Sequence, residues 1–331
     1  MTRTWKTIIG AGLCALASGM VRAQVPEFSI LDIEWENSVA YFDDVADVSR
    51  LVISPAPVPT TVRNFMQLLV IADIVSVNGK PARGSLIFAT RLIQVVPNPS
   101  PGQAIGDLGR FSMGDLHIEI MESDGTRMGS IMSSGFGGGP APPGLPSGVS
   151  NFILTGGSGA FLGIRGTLHY PPGTPGSRNA SMQEDPAMRR THGGTRGHII
   201  ASVIPMFRPE ILSDASGAAV FHSDFSPVSL TRPARPGETI IVRATGLGPT
   251  RPGLPAGTPF PATPLFQEVN SPVEATVNGK AAEVLNKIGW PGTSDTYRLD
   301  IRVPNGIAPG LATVQLTAAF ISGREVTLPV Q

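Results

Sequence analysis

Cysteine is nearly absent from this 331-residue chain: the single one, Cys14, lies in an N-terminal segment patterned like an export leader. Without that segment there is no disulfide, no thiol nucleophile and no cysteine metal ligand. Stability must then come from packed cores rather than covalent staples. Aromatics are scarce too, 6% of residues with three Trp and three Tyr, which leaves few platforms for stacking sugars. Charge is low and balanced, 25 basic against 25 acidic residues. No basic cluster is interleaved with aromatics, which argues against nucleic acid as a partner. Helical periodicity is rare, and no stretch after the leader has the length and apolarity of a transmembrane helix.

The leader reads MTRTWKTIIGAGLCALASGMVRAQ: Arg3 and Lys6, an apolar run from about Ile8 to Met20, then Val21-Arg22-Ala23 with small residues where a signal peptidase requires them. The run is too short for a comfortable membrane span, so residues 1–23 are expected to be a secretory signal cleaved after Ala23. Leu13 stands before Cys14 where a lipoprotein signal wants a small residue. Loss of Arg3, Lys6 and Arg22 leaves 22 basic against 25 acidic residues, a formal charge of −3. The expected location is exported: periplasmic, cell-surface or extracellular.

Glycine and proline are plentiful, 39 and 32 residues without a strict period, as many turns between short strands would require. MQLLVIADIVSV, the turn NGKPARG and SLIFATRLIQVV read as one antiparallel hairpin; GDLHIEIMES, DG and TRMGSIMSSG read as another. Residues 171–197, PPGTPGSRNASMQEDPAMRRTHGGTRG, are polar and rich in turn formers, and are expected to form a long exposed loop. HIIASVIP then completes a first domain over 24–204. Over 205–331, ETIIVRATGLG, VEATVNGK, TYRLDIRVP, ATVQLTAAF and EVTLPV are spaced like sandwich strands, while the Pro-rich GPTRPGLPAGTPFPATP cannot pair centrally. The expected fold class is all-β: an antiparallel β-barrel followed by an Ig-like β-sandwich.

The stretch SNFILTGGSGAFLGIRGTLHY, residues 150–170, admits two readings. Its glycines resemble part of a dinucleotide fingerprint, but such a loop works by aiming a following helix at a pyrophosphate. The residues after the glycine run, IRGTLHYPPG, alternate and carry prolines. The glycines therefore read as a strand-connecting turn, and no cofactor is expected.

Phe152, Thr155, Gly156, Gly157, Gly159, Phe161, Gly163, Arg165 and Gly166, in that order, resemble a signature of the allene oxide cyclase and dirigent family of small β-barrels. The resemblance covers roughly residues 100–170 and implies a barrel. A catalytic acidic signature of that family does not align with residues 25–97. RPGETIIVRATGLGPTRPGLPAG, VEATVNGKAAEV, YRLDIRVPNGIAPGLATVQL and VTLPV resemble an Ig-like C-terminal domain repeated across secreted proteins of acidobacteria. That resemblance implies envelope or extracellular placement and no catalytic residues.

Alternation puts Arg165, Thr167 and His169 on one strand face against Ile164, Leu168 and Tyr170, and Asp115, His117 and Glu119 opposite Leu116, Ile118 and Ile120. If the polar faces line a lumen, Arg165, His117, Glu119 and His169 form an acid/base or anion-binding cluster and are the catalytic candidates. If they face water, they are the solvated wall of a sheet packed on its other side. His117, His169 and His198 have no local metal-ligand spacing, so no metal is expected. Asp43, Asp44 and Asp47 read as an exposed acidic turn.

Three functions fit: a binder of a small, partly apolar molecule in the barrel mouth; a cyclase or dirigent-like isomerase guiding a reactive intermediate; or a noncatalytic envelope or adhesion module. The barrel lining separates them. A deep cavity holding Arg165 and a carboxylate favours an enzyme or binder, and a barrel filled by Leu, Ile and Phe favours the module.

Overall fold

The computed structural model describes residues 27–44, 66–93, 111–137, 151–214, 217–255 and 257–331. The expected leader and Asp47 lie outside these. The first unit contains β1 (Ser29–Asp44), β2 (Met66–Val77), β3 (Lys80–Ile93), β4 (Phe111–Met121), β5 (Arg127–Gly137), β6 (Asn151–Gly159), β7 (Arg165–His169), β8 (Arg178–Ser181) and β9 (Thr195–Ile204). Consecutive strands from β1 to β7 pair antiparallel; β7 pairs with β9, and β9 pairs back with β1. Eight strands thus close a barrel, and closure removes the free edges an open sheet would expose.

The alternation read from the sequence sorts the two faces. Leu31, Ile33, Leu116, Ile118, Ile120, Ile131, Leu154 and Leu168 point inward and are buried in one core. Each such side chain contributes about 1.5–3 kcal/mol when fully removed from water. The first turn is tighter than NGKPARG suggested: only Asn78 and Gly79 intervene between β2 and β3, both at positive φ as a two-residue hairpin requires.

Strand β1 changes phase at Asn37, whose φ is 55°. Glu36 pairs with Asp73 but Val39 with Ile71, so β1 carries one extra residue there. The bulge reverses the alternation. Trp35 faces the lumen, Ser38 and Ala40 take over the inner face, and Val39 and Tyr41 turn outward to pack with Ala180 and Ile71.

The expected exposed loop over 171–197 is in part an ordered strap. Strand β8 runs parallel to β1 in the same sheet, beside Val39–Phe42 where the pairing with β9 has ended, and a 3-10 turn follows at Pro186–Arg190. Ala180, Ser181 and Arg189 are buried. Its polar composition misled because its charges are consumed in pairs, Arg178 with Glu184 within the strap and, over long range, Arg189 and Arg190 with Asp73 of β2.

The second unit is an eleven-stranded sheet around its own core of Val242, Leu299, Ile301 and Val314. Its longer strands are Thr239–Thr245, Val273–Val277, Lys280–Gly289, Thr296–Arg302, Gly310–Ala318 and Val326–Val330. The hairpin after Ala318 reaches into the barrel: Ala319, Phe320 and Ile321 belong to the barrel's core rather than to that of their own sheet. Ala319 and Phe320 have φ of 48° and 67°. Left-handed backbone is unfavourable for a bulky residue, so burial of Phe320 must offset it. Lys80 also pairs with Glu274, and Asn270 donates to the Arg127 carbonyl, at this same end.

Candidate functional site

The candidates Arg165, His117, Glu119 and His169 stand on the outer wall, so the lumen-lining alternative is corrected. The inner positions of β4 and β7 are taken by Leu116, Ile118, Ile120 and Leu168, and strand geometry sends the polar neighbours outward. His117 and Arg165 are exposed, and Glu119 pairs with Arg127 at the surface. β5 and β6 separate His117 and Glu119 from Arg165 and His169, so the four do not form one cluster. Arg165 closes the glycine turn instead: its Nη1 donates to the Thr155 carbonyl at 2.7 Å and the Ile164 carbonyl at 3.1 Å. His198 pairs separately with Asp32 at 2.8 Å. Among the described residues no three His, Cys, Asp or Glu side chains gather as a metal site.

The glycine turn is a closure of the barrel floor. A Cβ at Gly157 would lie 2.4 Å from the Phe161 carbonyl oxygen, so only glycine lets the chain fold back this closely. The turn drives Phe161 into the core, where it is 1% exposed.

At the opposite end, where β1 and β3 finish and β2 and β4 begin, the core stops short. A cavity of about 410 Å³ lies between Trp35, Leu86, Phe88 and Tyr170, with Leu68 and Val70 beside them. Ser38, Thr90, Ser112, Ser177 and Asn179 supply its polar lining, and Thr174 to Ser177 of the strap cross it. The rings are held edge-to-face, Trp35 with Tyr170 at 5.9 Å and Phe88 with Phe152 at 5.3 Å, the arrangement aromatic quadrupoles favour. Burial pushes the Tyr170 phenol up to about 12, keeping it protonated at ordinary pH.

Several polar lining groups have protein partners. Ser38 and Ser177 share a hydrogen bond of 2.7 Å, and Thr90 donates to the Met113 carbonyl at 2.8 Å. Trp35 Nε1 stands apart as fully buried without a hydrogen-bond partner. An indole N–H can only donate, and leaving it unpaired costs about 1–3 kcal/mol. A larger hollow of about 920 Å³ runs along the outer wall past Arg91, Met113, Asp115 and Ile153, away from these rings.

The strap over the mouth is latched at Asp73. Arg190 Nε donates to it at 2.9 Å, Asn37 Nδ2 at 3.1 Å, and Arg189 pairs with its other oxygen. Burial alone would raise the Asp73 carboxyl, but hydrogen bonds from Arg190, Arg189 and Asn37 outweigh it and hold the pKa below the ordinary carboxylate value. Trp35, Tyr170, Asp73 and Arg189 were not singled out as site residues from sequence. Tyr170 had a signal, since alternation put it on the apolar face of its strand. Trp35 had a weaker one, the apolar alternation of ILDIEW.

Fold and site together define an all-β protein with a floored barrel and a neutral, ring-lined mouth. Compared with known proteins, the chain matches no family model, no curated sequence and no solved structure.

Proposed function

We propose that this chain is an exported two-domain β protein whose barrel takes a small, partly apolar molecule into its mouth. The observation that carries this is the cavity of about 410 Å³ walled by Trp35, Phe88 and Tyr170. That volume falls within the ~300–1,000 Å³ of small-molecule sites, and apolar walls with a few polar groups are what such sites present. The export part rests on the leader-like residues 1–23. The sandwich spacing and ordered motifs of 205–331 support an Ig-like second domain, and the glycine signature supports an allene oxide cyclase or dirigent-like barrel.

The test is ligand capture from a small-molecule mixture, followed by mass spectrometry. Val70 lines the cavity and is half-buried, so Val70→Phe fills it while keeping an apolar wall. Capture by the natural chain and loss by Val70→Phe is the expected outcome; equal capture by both overturns the reading.

The noncatalytic envelope module is the second reading, favoured by the Leu- and Ile-filled lower barrel. A cyclase or dirigent-like activity needs a group to orient or protonate an intermediate. Among the described lining residues only the Tyr170 phenol is ionisable, and the enzyme reading would rest on it.

A further inference from the structure

We infer that the mouth's ligand is an uncharged molecule bearing a hydrogen-bond acceptor, such as a carbonyl, which takes the free proton of Trp35 Nε1. This rests on the mouth being a binding site.

Three observations converge. First, the described lining residues include no carboxylate, lysine, arginine or histidine. A charged ligand group would be buried there without a counter-charge, which is far costlier than burying a neutral dipole. The ion-paired Asp73, Arg189 and Arg190 are on the outside of β2, and Arg178, between the lining residues Ser177 and Asn179, is engaged with Glu184. Second, among the described lining residues the fully buried side-chain polar atom left without a protein partner is a donor, Trp35 Nε1. The Ser38, Ser177 and Thr90 hydroxyls already have partners. The complementary ligand group is therefore an acceptor, and a site with a buried unpaired donor discriminates against analogues that lack one.

Third, the indole is covered by the strap. Trp35 Cζ2 and Thr174 Cγ2 both lie within 3.0 Å of the position a Cβ would take on Gly197. Gly197 thus leaves the space that Trp35 occupies, and Thr174 is the strap residue beside the ring. Nε1 has almost no accessible surface, so the ligand's acceptor reaches it where this part of the strap gives way.

The experiment uses three probes of one shape: 2-acetylnaphthalene, 2-ethylnaphthalene and 2-naphthoate at neutral pH. Affinities come from calorimetry, and the Trp35 indole N–H signal from ¹H–¹⁵N correlation spectra, assigned by its loss in Trp35→Phe. The ketone is expected to bind about tenfold more tightly than the ethyl analogue, the free-energy equivalent of one hydrogen bond to a neutral group. The carboxylate is expected to bind weakest, and only the ketone should move the Trp35 N–H downfield. Trp35→Phe should level the ketone and the ethyl compound.

Equal affinity of ketone and ethyl compound in the natural chain, or tightest binding by the carboxylate, overturns this inference while leaving the mouth as a binding site. Failure of all three to bind, with Val70→Phe also capturing the same compounds as the natural chain, overturns both. Should Trp35→Phe fail to fold, the indole N–H is assigned by its through-space contact with the Tyr170 ring, and its shift in the natural chain decides.

Discussion

At its floor the barrel is stoppered twice, by Phe161 from its own glycine turn and by Phe320 from the neighbouring sheet, whereas at its mouth Trp35, Phe88 and Tyr170 stand around a cavity of about 410 Å³. The same residue class serves both ends. Floor rings are driven fully into the core by backbone that pays in conformational strain, with Phe320 at φ 67°. At the mouth Phe88 and Tyr170 stay partly uncovered, and the buried Trp35 keeps an unpaired donor. Stability is thus concentrated at one end and forgone at the other, the distribution expected when only one end binds.

The sharpest way to break this contrast is to truncate one phenylalanine at each end. Phe320→Ala removes a ring that is 9% exposed and bridges the two units. It should cost about 3–5 kcal/mol, the range for Phe deletions in cores. Phe88→Ala, at the half-buried mouth, should cost about 1–2 kcal/mol, since its surroundings are already incompletely packed. Denaturant midpoints of the two variants measure this. A loss for Phe88→Ala as large as that for Phe320→Ala would erase the distinction between floor and mouth.

The strap latch comes next in size. Asp73 is mostly buried and accepts from Arg189, Arg190 and Asn37, so Asp73→Asn leaves Arg189 with no carboxylate partner. The expected loss is about 1–3 kcal/mol, felt locally in the strap. It should appear as faster tryptic cleavage after Arg189 and Arg190, with the barrel strands unaffected. The pH dependence has a definite sign. The folded pKa of Asp73 is depressed, so its contribution is present above the unfolded carboxylate value of about 3.9 and lost as pH falls through the lower folded value. Amide protection factors of Arg178–Thr191 should therefore fall below about pH 4 before those of β4 do. Simultaneous loss in both would mean the strap is no separate element.

The floor was more legible in the sequence than the mouth. LHIEI alternates, so its strand and inward face follow from period two, and the missing helix after GGSGAFLG assigns those glycines to a turn. Two things hid the mouth. Alternation carried through ILDIEWENSVAYF would put Trp35, Val39 and Tyr41 on one face. One extra residue at Asn37 sends the last two outside. The strap's chain composition is that of a loop, and its order depends on Asp73, which is 116 residues away from Arg189. Neither a bulge nor a distant ion pair leaves a local trace in composition. Arg165 stands out in the sequence as the one residue in the glycine stretch whose chemistry exceeds what a turn needs. Its two carbonyl bonds show the turn does use it.

Arg165 gives the smallest predicted effect. On the outer wall it satisfies the Thr155 and Ile164 carbonyls, which in its absence can be hydrated because the side chain is exposed. Arg165→Ala should therefore cost about 0.5–1.5 kcal/mol, one hydrogen bond's net worth, and should leave capture at the mouth unchanged. It differs from Val70→Phe on both axes: some stability lost with binding kept, against binding lost. Calorimetry with 2-acetylnaphthalene alongside thermal melting separates them. An Arg165→Ala chain that melts normally yet binds less would place the arginine in the ligand's path after all, and would move the site from the mouth to the wall.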